Sequence, residues 1–374
     1  MTDNLAFVLQ HVGKVEYEQR PIPKLGNDEV LVAIKKTGIC GSDVHYLVHG
    51  RIGDFVVEKP MVLGHESAGI VSQIGSSVSH LKVGDRVAVE PGASCRICFS
   101  CKTGQYELCP DIVFAATPPY DGTLQRFYKV PADLAFLLPD VLTLEDGAMM
   151  EPLSVAVHAV HRLGDLRACE SVLVFGCGPV GLLCMAVAKS LGASRVIAVD
   201  IIDSRLQFSR RYAATDIFMP PRREEGESIL QYSRRSSDDL KRLLNVPNHG
   251  RHGIDLVIDA SGAEVSIQTA FYAVKPGGRI VQVGMGKSDV TIDLGMLMTK
   301  EVVYKGSFRY GMGDYPLAIS LVAQGKIDLK PLVTHRFSFM DAIAAFQATR
   351  NGRGEGECVI KAIISGPDTP INEI

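Results

Sequence analysis

The strongest constraint on the fold of this chain is a glycine-rich turn between an apolar strand and an apolar helix. Residues 170–175 (ESVLVF) predict a buried strand, residues 176–181 (GCGPVG) follow it, and the predicted helix runs to Leu191. A second strand over 196–200 ends at Asp200, at about the 20-residue distance typical of dinucleotide-binding units. Glycines at this spacing allow a tight turn and a close approach to a pyrophosphate at the helix N-terminus. The turn therefore favours a dinucleotide site, although methyltransferases also use glycine-rich turns between strand and helix.

The alternation of strands and helices continues after this turn. The further elements predicted are strands over 254–259, 278–284 and 301–306 and a helix over 264–274. This pattern predicts a parallel, doubly wound sheet. A charged segment, 220–253, interrupts the alternation, and we predict one amphipathic surface helix over 229–244 within it, without a chemical role.

The two ends of the chain have a different pattern. Residues 5–90 contain several short strands separated by Gly and Pro, which predicts a barrel-like β domain. Residues 144–163 have apolar residues at helical spacing and predict one connecting helix. The tail after Tyr310 predicts two helices and a strand over 357–364, and we expect it to pack back on the first domain.

Length and composition limit the class of protein. A chain of 374 residues is longer than one hydrophobic core usually serves, so two domains are expected. The net charge of −3 gives no reason to expect nucleic acid or an anionic membrane as partner. No apolar run reaches the ~18 residues of a membrane-spanning helix, and the first residues do not have the pattern of a secretory signal. We therefore expect a cytoplasmic protein whose nine cysteines are thiols or metal ligands.

Four of the cysteines lie within fifteen residues, at the spacing C-x2-C-x2-C-x7-C; they are Cys95, Cys98, Cys101 and Cys109. Four thiolates this close can surround one tetrahedral zinc ion without leaving a free coordination position, which is typical of a structural site. Redox-active disulfides are the alternative for these residues, and a zinc-ribbon binding protein is the alternative function that they alone would allow. The four cysteines outside both proposed zinc sets are predicted to be small core residues.

A second candidate metal site combines Cys40 with the adjacent pair His65 and Glu66. Thiolate, imidazole and carboxylate are the usual protein ligands of zinc, and three of them leave one position open for water or substrate. Each residue alone is more often structural than metal-binding. Their combination predicts a catalytic zinc site.

Taken together, these motifs resemble the zinc-containing medium-chain dehydrogenases, over about residues 5–364. Within that family the chain is similar to the polyol branch of sorbitol, xylitol and L-arabinitol dehydrogenases. The resemblance rests on GHE (64–66), CGSDVH (40–45), the four-cysteine lobe, GCGPVG with Asp200, Glu151-Pro152 and GSFRY (306–310). The stretches VHGRIGDFVV and FAATPPYDGTL resemble fungal xylitol dehydrogenases most.

The resemblance implies a fold and an activity. It implies a GroES-like β-barrel catalytic domain formed by residues 1–154 and 308–374, and a Rossmann NAD-binding domain formed by residues 155–307. It also implies a homotetramer that uses zinc and NAD+ to oxidise a polyol to a ketose, with xylitol to D-xylulose as the expected reaction. L-arabinitol 4-dehydrogenase and sorbitol dehydrogenase are the alternatives within the family.

The resemblance also assigns roles to residues. It implies that Ser42, His45 and Glu151 are catalytic, the first two in proton transfer and the third near the zinc-bound water. It implies that the substrate contacts Tyr46, Phe114, Glu151, Arg309 and Tyr310. It implies that the cofactor contacts Gly176, Gly178, Val180, Gly181, Asp200, Arg205, Val283, Gly284, Met285, Ser307 and Phe308.

The choice between NAD and NADP is predicted from charge. Asp200 would repel a 2′-phosphate, and the following residues Ile201 and Ile202 supply no cation. Arg205 lies nearby, but a basic residue at this place also contacts the NAD ribose in the polyol dehydrogenases that the chain resembles. We therefore expect NAD to be the cofactor.

Overall fold

The computed structural model describes residues 3–354 and 357–372; side chains are not described at 353, 354 and 357. The chain divides into two compact units. The first unit is formed by Met1–Glu151 and Gly311–Ile374, and the second by Pro152–Tyr310. The sequence analysis predicted a catalytic domain (1–154 and 308–374) and a cofactor domain (155–307). Because that prediction assigns a function to each domain, and not only its boundaries, it stays a prediction. No helix among the described residues is long and apolar enough to cross a bilayer.

The first unit is built on a curved, mostly antiparallel sheet of seven strands. Their order is Ala135–Leu137, Arg86–Val89, Glu66–Ile74, Glu29–Gly38, Lys361–Ser365 and Val333–Phe337, with Phe127–Pro131 also paired to Glu29–Gly38. A three-stranded sheet has the order Lys14–Arg20, Asn4–His11 and Met61–Val62. Because the strand from the tail pairs with Glu29–Gly38, the expectation that the tail packs on the first part of the chain is confirmed.

Short elements complete the first unit. Its two-stranded ribbons pair Arg51–Ile52 with Phe55–Val56, Gly92–Ala93 with Val113–Phe114, and Arg353–Gly354 with Glu357–Cys358. Its α-helices are Gly41–His49, Phe99–Lys102, Leu144–Ala148, Asp314–Ala323 and Ala342–Asn351, and its 3₁₀ turns are Tyr106–Leu108, Ala132–Leu134, Lys330–Leu332 and Phe339–Asp341.

The second unit is a six-stranded parallel sheet with helices in the connections, as predicted. The strand order is Asp216–Phe218, Arg195–Val199, Ser171–Phe175, Ile254–Asp259, Val274–Gln282 and Val303–Gly306. Its helices are Pro179–Ser190, Asp203–Tyr212, Ile229–Leu244, Glu264–Ala273 and Leu294–Thr299. The sheet first extends from the strand Ser171–Phe175 in one direction, through Arg195–Val199. It later extends in the other direction, through Ile254–Asp259. Such a reversal is where doubly wound folds bind ligands, at the carboxyl ends of the strands.

The charged segment contains one helix, Ile229–Leu244, with the bounds that the sequence predicts. Ser228 and Gln231 form a capping box at its start, and Asn245 ends it in the left-handed conformation. Its buried Leu240 belongs to the core cluster that also contains Phe271 and Val274. The helix therefore covers the core with one face, as an amphipathic surface helix should.

The prediction of one continuous helix over 144–163 is wrong. The segment consists of two α-helices, Leu144–Ala148 and Met150–Val157, followed by a π-helix, His158–Leu163. The amide of Met149 is shared between the carbonyls of Glu145 and Asp146, which tightens the chain at the first break. Apolar spacing of three and four residues persists through such changes of winding, so the periodicity could not locate them.

Candidate metal and cofactor sites

The structure brings the three predicted ligands of the second metal site together in the first unit. Cys40 stands at the start of the helix Gly41–His49, while His65 and Glu66 stand at the start of the strand Glu66–Ile74. Their donor atoms lie within 4.8 Å of one another, with His65 and Glu66 buried and Cys40 partly exposed. This donor set, open on one side, fits a zinc ion that keeps a position for an exchangeable ligand.

Asp43 holds this group in place, and the sequence analysis did not single it out. Its Oδ1 accepts the amide of Gly64 at 3.0 Å, and its Oδ2 lies 3.3 Å from Nδ1 of His65. Burial alone would lower the pKa of His65, but the charges of Asp43 and Cys40 hold it well above its usual range. A carboxylate on the second imidazole nitrogen is the usual device for orienting a histidine ligand. In the sequence, the signal for Asp43 was its place in the motif CGSDVH, three residues after Cys40.

Lys361 is a second residue that sequence reasoning missed. Its Nζ donates to both carboxylate oxygens of Glu66, at 2.8 and 2.6 Å, and to the carbonyl of Ile39 at 3.1 Å. Only 3% of Lys361 is exposed, and although burial alone would lower its pKa, the adjacent Glu66 keeps that pKa above the ordinary value. A single lysine that opens the apolar strand KAIIS is the sequence signal.

The four cysteines of the lobe also converge, and all four sulfur atoms lie within 4.8 Å of one another. The Sγ of Cys101 lies 3.9 Å from that of Cys95 and 3.5 Å from that of Cys98. Sulfurs at 2.3 Å from a tetrahedral zinc would be separated by about 3.8 Å, so the geometry fits a four-thiolate site. Backbone amides at Ile97 and Cys98 lower the pKa of Cys95 to about 7, while burial and the adjacent sulfur atoms raise the pKa of Cys98 to about 11.

Replacing Cys98 by serine should remove one zinc ion per chain and lower the melting temperature by about 10 °C, since a structural zinc stabilises the fold directly. The kcat of the remaining folded protein should change little at low temperature, because this site has no free position for substrate. Metal analysis together with calorimetry checks both statements. An unchanged zinc content would show that the lobe binds no zinc.

The residues predicted to surround the catalytic group have different environments. The ring of Phe114 lies 6.0 Å from that of His65, which suits a wall of the site. Glu151 is buried. Ser42 is half-buried and His45 is exposed, on the helix that begins after Cys40. Tyr46 is buried in a hydrophobic cluster of the first unit. Most of its side chain therefore packs in the core, and only a small part would contact substrate.

The glycine-rich turn of the second unit has the predicted construction. Gly176 has φ +90°, and a Cβ on Gly181 would lie 1.8 Å from the carbonyl oxygen of Gly176, so both positions need glycine. A Cβ on Gly178 would meet nothing within 4 Å, which leaves room for a ligand at the start of the helix Pro179–Ser190. Gly176 and Gly181 thus serve the turn and the packing of helix on strand, and the approach of a cofactor to Gly178 stays a prediction.

Asp200 stands beside this turn. Its Oδ2 accepts the amide of Cys177 at 2.7 Å, and its Oδ1 accepts the amide of Ile202 at 2.9 Å. Arg205 lies close enough to affect the pKa of the Cys177 thiol, which places its charge near the same turn. The charges of Asp200 and Arg205 thus both act on the Cys177 thiol, and their contacts with an adenosine ribose stay a prediction.

The other predicted cofactor contacts follow the ends of neighbouring strands. The amides of Val283 and Gly284 donate to the carbonyl of Asp259, and that of Ser307 donates to the carbonyl of Gln282. The side chains of Met285 and Phe308 are exposed, and Val180 is half-buried at the start of its helix. The guanidinium of Arg309 lies over the ring of Phe308 at 4.6 Å, and Tyr310 is buried. The roles of all these residues stay predictions.

Two family models match the chain. The model described as the alcohol dehydrogenase GroES-like domain matches residues 26–140, and the model described as zinc-binding dehydrogenase matches residues 179–324. Both matched families are dehydrogenases, which argues against the methyltransferase and zinc-ribbon alternatives.

Individual proteins match nearly the whole chain. A probable D-xylulose reductase A from Neosartorya fischeri is 52% identical over 364 residues, which cover 97% of each chain. D-xylulose reductase A from Aspergillus niger is 51% identical over 367 residues, which cover 98% of each. A crystal structure of a protein from Escherichia coli CFT073, described as a short chain alcohol dehydrogenase and complexed with NADH, superposes with a TM-score of 0.84. It is 25% identical, and the match covers 97% of this chain and 99% of that one.

Proposed function

Because this chain belongs to the zinc-binding dehydrogenases with a GroES-like domain, we propose that it oxidises xylitol to D-xylulose with NAD+ and catalyses the reverse reduction. The observation that carries the proposal is the convergence of Cys40, His65 and Glu66 on one small volume. The names of the similar proteins from Neosartorya fischeri and Aspergillus niger support the choice of substrate.

The proposed reaction transfers a hydride from a secondary alcohol carbon to the nicotinamide ring. Cys40, His65 and Glu66 would hold a zinc ion, which would serve as the Lewis acid that lowers the pKa of a substrate hydroxyl. Asp43 fixes the orientation of the His65 ring through its contact with Nδ1. Lys361 holds both oxygens of Glu66, so the carboxylate cannot rotate freely.

The hydroxyl proton has to leave a partly buried site. We assign its transfer to Ser42 and His45, because the first is half-buried and the second is exposed on the same helix. The ring of His45 lies 4.8 Å from that of His49, which keeps the imidazole at the surface of the helix. Proton transfer through positioned groups is typically worth ~10² to 10⁴ in rate.

Substrate contacts are assigned by their chemistry. Glu151, Arg309 and the hydroxyls of Tyr46 and Tyr310 offer the polar partners that a polyol requires, and the ring of Phe114 offers an apolar wall. On the cofactor side, the turn Gly176–Gly181 would hold the pyrophosphate and Asp200 the adenosine ribose.

A panel of xylitol, sorbitol and L-arabinitol with NAD+, followed by NADH absorbance, tests the proposed function. We expect the highest kcat/KM with xylitol. A higher value with sorbitol or L-arabinitol would reassign the enzyme within the polyol group. Absence of NADH formation with all three, in protein that contains two zinc ions per chain, would overturn the proposal.

Cofactor choice gives a separate prediction. Because Asp200 would face a 2′-phosphate, we expect kcat/KM to be at least about tenfold lower with NADP+ than with NAD+, a difference of ~1.4 kcal/mol. Asp200→Asn removes the charge and keeps one acceptor oxygen, for the amide of either Cys177 or Ile202. This variant should therefore bring the kcat/KM values for NAD+ and NADP+ closer together. Asp238→Asn, an exposed carboxylate on the helix Ile229–Leu244, serves as the control that leaves the ratio unchanged. Equal use of both cofactors by the unaltered protein would show that the role assigned to Asp200 is wrong.

We further propose a homotetramer, on the grounds of the family resemblance, and a location in the cytoplasm, as expected in the sequence analysis. Sedimentation equilibrium should then give about four times the chain mass of 40.5 kDa. A mass that stays at one or two chains over the working concentration range would rule the tetramer out.

A further inference from the structure

The first unit contains a cavity lined by polar residues other than Cys40, His65 and Glu66. A cavity of about 390 Å³ lies beside the four-cysteine lobe, and Cys101 forms part of its lining. Its volume is in the range of small-molecule sites. The lining residues that matter here are Glu90, Arg96, Tyr106, Asp133, Phe136 and Tyr315.

Glu90 is the central polar group of this cavity, and only 1% of it is exposed. Its Oε1 accepts the hydroxyl of Tyr106 at 2.6 Å. Its Oε2 has no hydrogen-bond partner within the described part of the chain. Glu90 lines the cavity, so a ligand bound there could supply a hydrogen-bond donor to this oxygen.

The charges around Glu90 favour a positive ligand. Burial raises the pKa of Glu90 to about 8; the hydrogen bond from Tyr106 opposes this shift, and the nearby charges of Asp133 and Asp314 add to it. Arg96 is the one cation among the described residues that line the cavity, and it is already paired with Asp133 at 2.6 Å. A bound cation would stabilise the ionised form of Glu90, which no basic side chain in the cavity lining does.

Two aromatic rings also line the cavity. The rings of Phe136 and Tyr315 are stacked with their centroids 5.1 Å apart, and the hydroxyl of Tyr315 donates to the carbonyl of Val89. This bond fixes the tyrosine ring and removes its polar atom from use by a ligand. An apolar chain can lie along such rings, and aromatic rings also attract cations.

We propose that this cavity binds a small organic cation, of the alkylguanidinium or alkylammonium class, with its charged head at Glu90 and its apolar tail along Phe136 and Tyr315. This site is additional to the dehydrogenase reaction and independent of it. Phosphates, carboxylates and neutral polyols lack the positive charge that the site selects.

Calorimetric titration of the full-length, zinc-loaded protein at pH 8.5 tests the proposal, with n-propylguanidinium and n-propylurea as probes. The two molecules have nearly the same shape, and only the first carries a charge. We expect saturable binding of n-propylguanidinium, at least about tenfold tighter than that of n-propylurea. Equal affinities, or no saturable binding of the cation, would overturn the proposal. The heat signal does not require catalysis, so this outcome is separate from any failure of the proposed reaction.

Variants identify the place of binding. Glu90→Gln should weaken n-propylguanidinium binding by about tenfold or more, since it removes the charge and keeps the shape. Its zinc content and its turnover of xylitol should remain, because Glu90 has no assigned part in that reaction. Asp140→Asn, a fully exposed carboxylate of the same unit, is the matched control and should bind the cation normally. Undiminished binding by Glu90→Gln would refute the assignment.

A last measurement addresses the source of the cation. If n-propylguanidinium lowers the sedimenting mass of the protein, the occupant is an arginine or lysine of a second copy of this chain, and the free-ligand proposal is wrong. We expect the mass to stay constant. Tyr106→Phe removes the contact to Oε1 but leaves the charge of Glu90, so this variant should still bind the cation.

Discussion

Cys40→Ser is expected to lower kcat/KM for xylitol by about 10³-fold or more and to remove one of two zinc ions per chain. The thiolate of Cys40 is one of three protein donors in the group with His65 and Glu66, and a serine hydroxyl is a poor zinc ligand at neutral pH. Loss of a Lewis acid removes several kcal/mol of transition-state stabilisation, and each 1.36 kcal/mol is a tenfold change in rate. Metal analysis and steady-state kinetics on the same preparation measure both effects.

Cys169→Ser is the matched control for this experiment. The four cysteines outside the proposed zinc sites were predicted to be core residues. Cys177 and Cys184 are buried, as predicted, but the prediction is wrong for Cys169, which is exposed, and Cys358 is only partly buried. Serine at 169 should leave the zinc content and the kinetics unchanged. If Cys40→Ser kept more than a tenth of the activity with one zinc ion lost, the catalytic ion would have to be bound elsewhere.

Lys361→Met is expected to affect both stability and activity. It leaves the carboxylate of Glu66 buried without its partner, and breaking a buried ion pair in this way typically costs about 3–5 kcal/mol. We expect that loss in the unfolding free energy of the zinc-free protein, measured with urea. In the zinc-loaded enzyme the positioning of Glu66 is lost, and changes in such supporting groups usually lower activity or metal affinity about 10- to 100-fold.

Lys361→Arg tests whether Lys361 acts by positioning the Glu66 carboxylate or only by filling the space beside it. Arginine keeps a positive charge and offers two donors to a carboxylate, so this variant should recover most of the stability and zinc affinity. A zinc affinity of Lys361→Met equal to that of the unaltered protein, measured by competition with a chelator, would contradict the role assigned to Lys361. A merely structural role would lower stability without changing that affinity.

Elements with strong local signals were predictable from the sequence. The strand, glycine turn and helix around Gly176 were identified because three different local preferences agree there. The helix Ile229–Leu244 was predicted from its amphipathic pattern, and Ser228 and Asn245, which start and end it, are good residues for these positions. The four-cysteine lobe was visible because its ligands are close in sequence.

Features that depend on distant contacts were not predictable. Asp43 and Lys361 have their roles because the fold brings them to His65 and Glu66, and in the sequence Lys361 lies 295 residues from Glu66. The same holds for Glu90, whose surroundings come from three separate parts of the first unit. The break at Met149 depends on a shared hydrogen bond that hydrophobic spacing does not encode.

The pairing of Lys361–Ser365 with Glu29–Gly38 has a consequence for the order of events during translation. The ribosome releases residues 152–310, which form a compact unit of their own, before it makes the strand that supplies Lys361. Domains generally fold as units while synthesis proceeds. The nascent chain therefore has Cys40, His65 and Glu66 early but completes their surroundings late, so metal acquisition at this centre should be one of the final steps in the maturation of the protein.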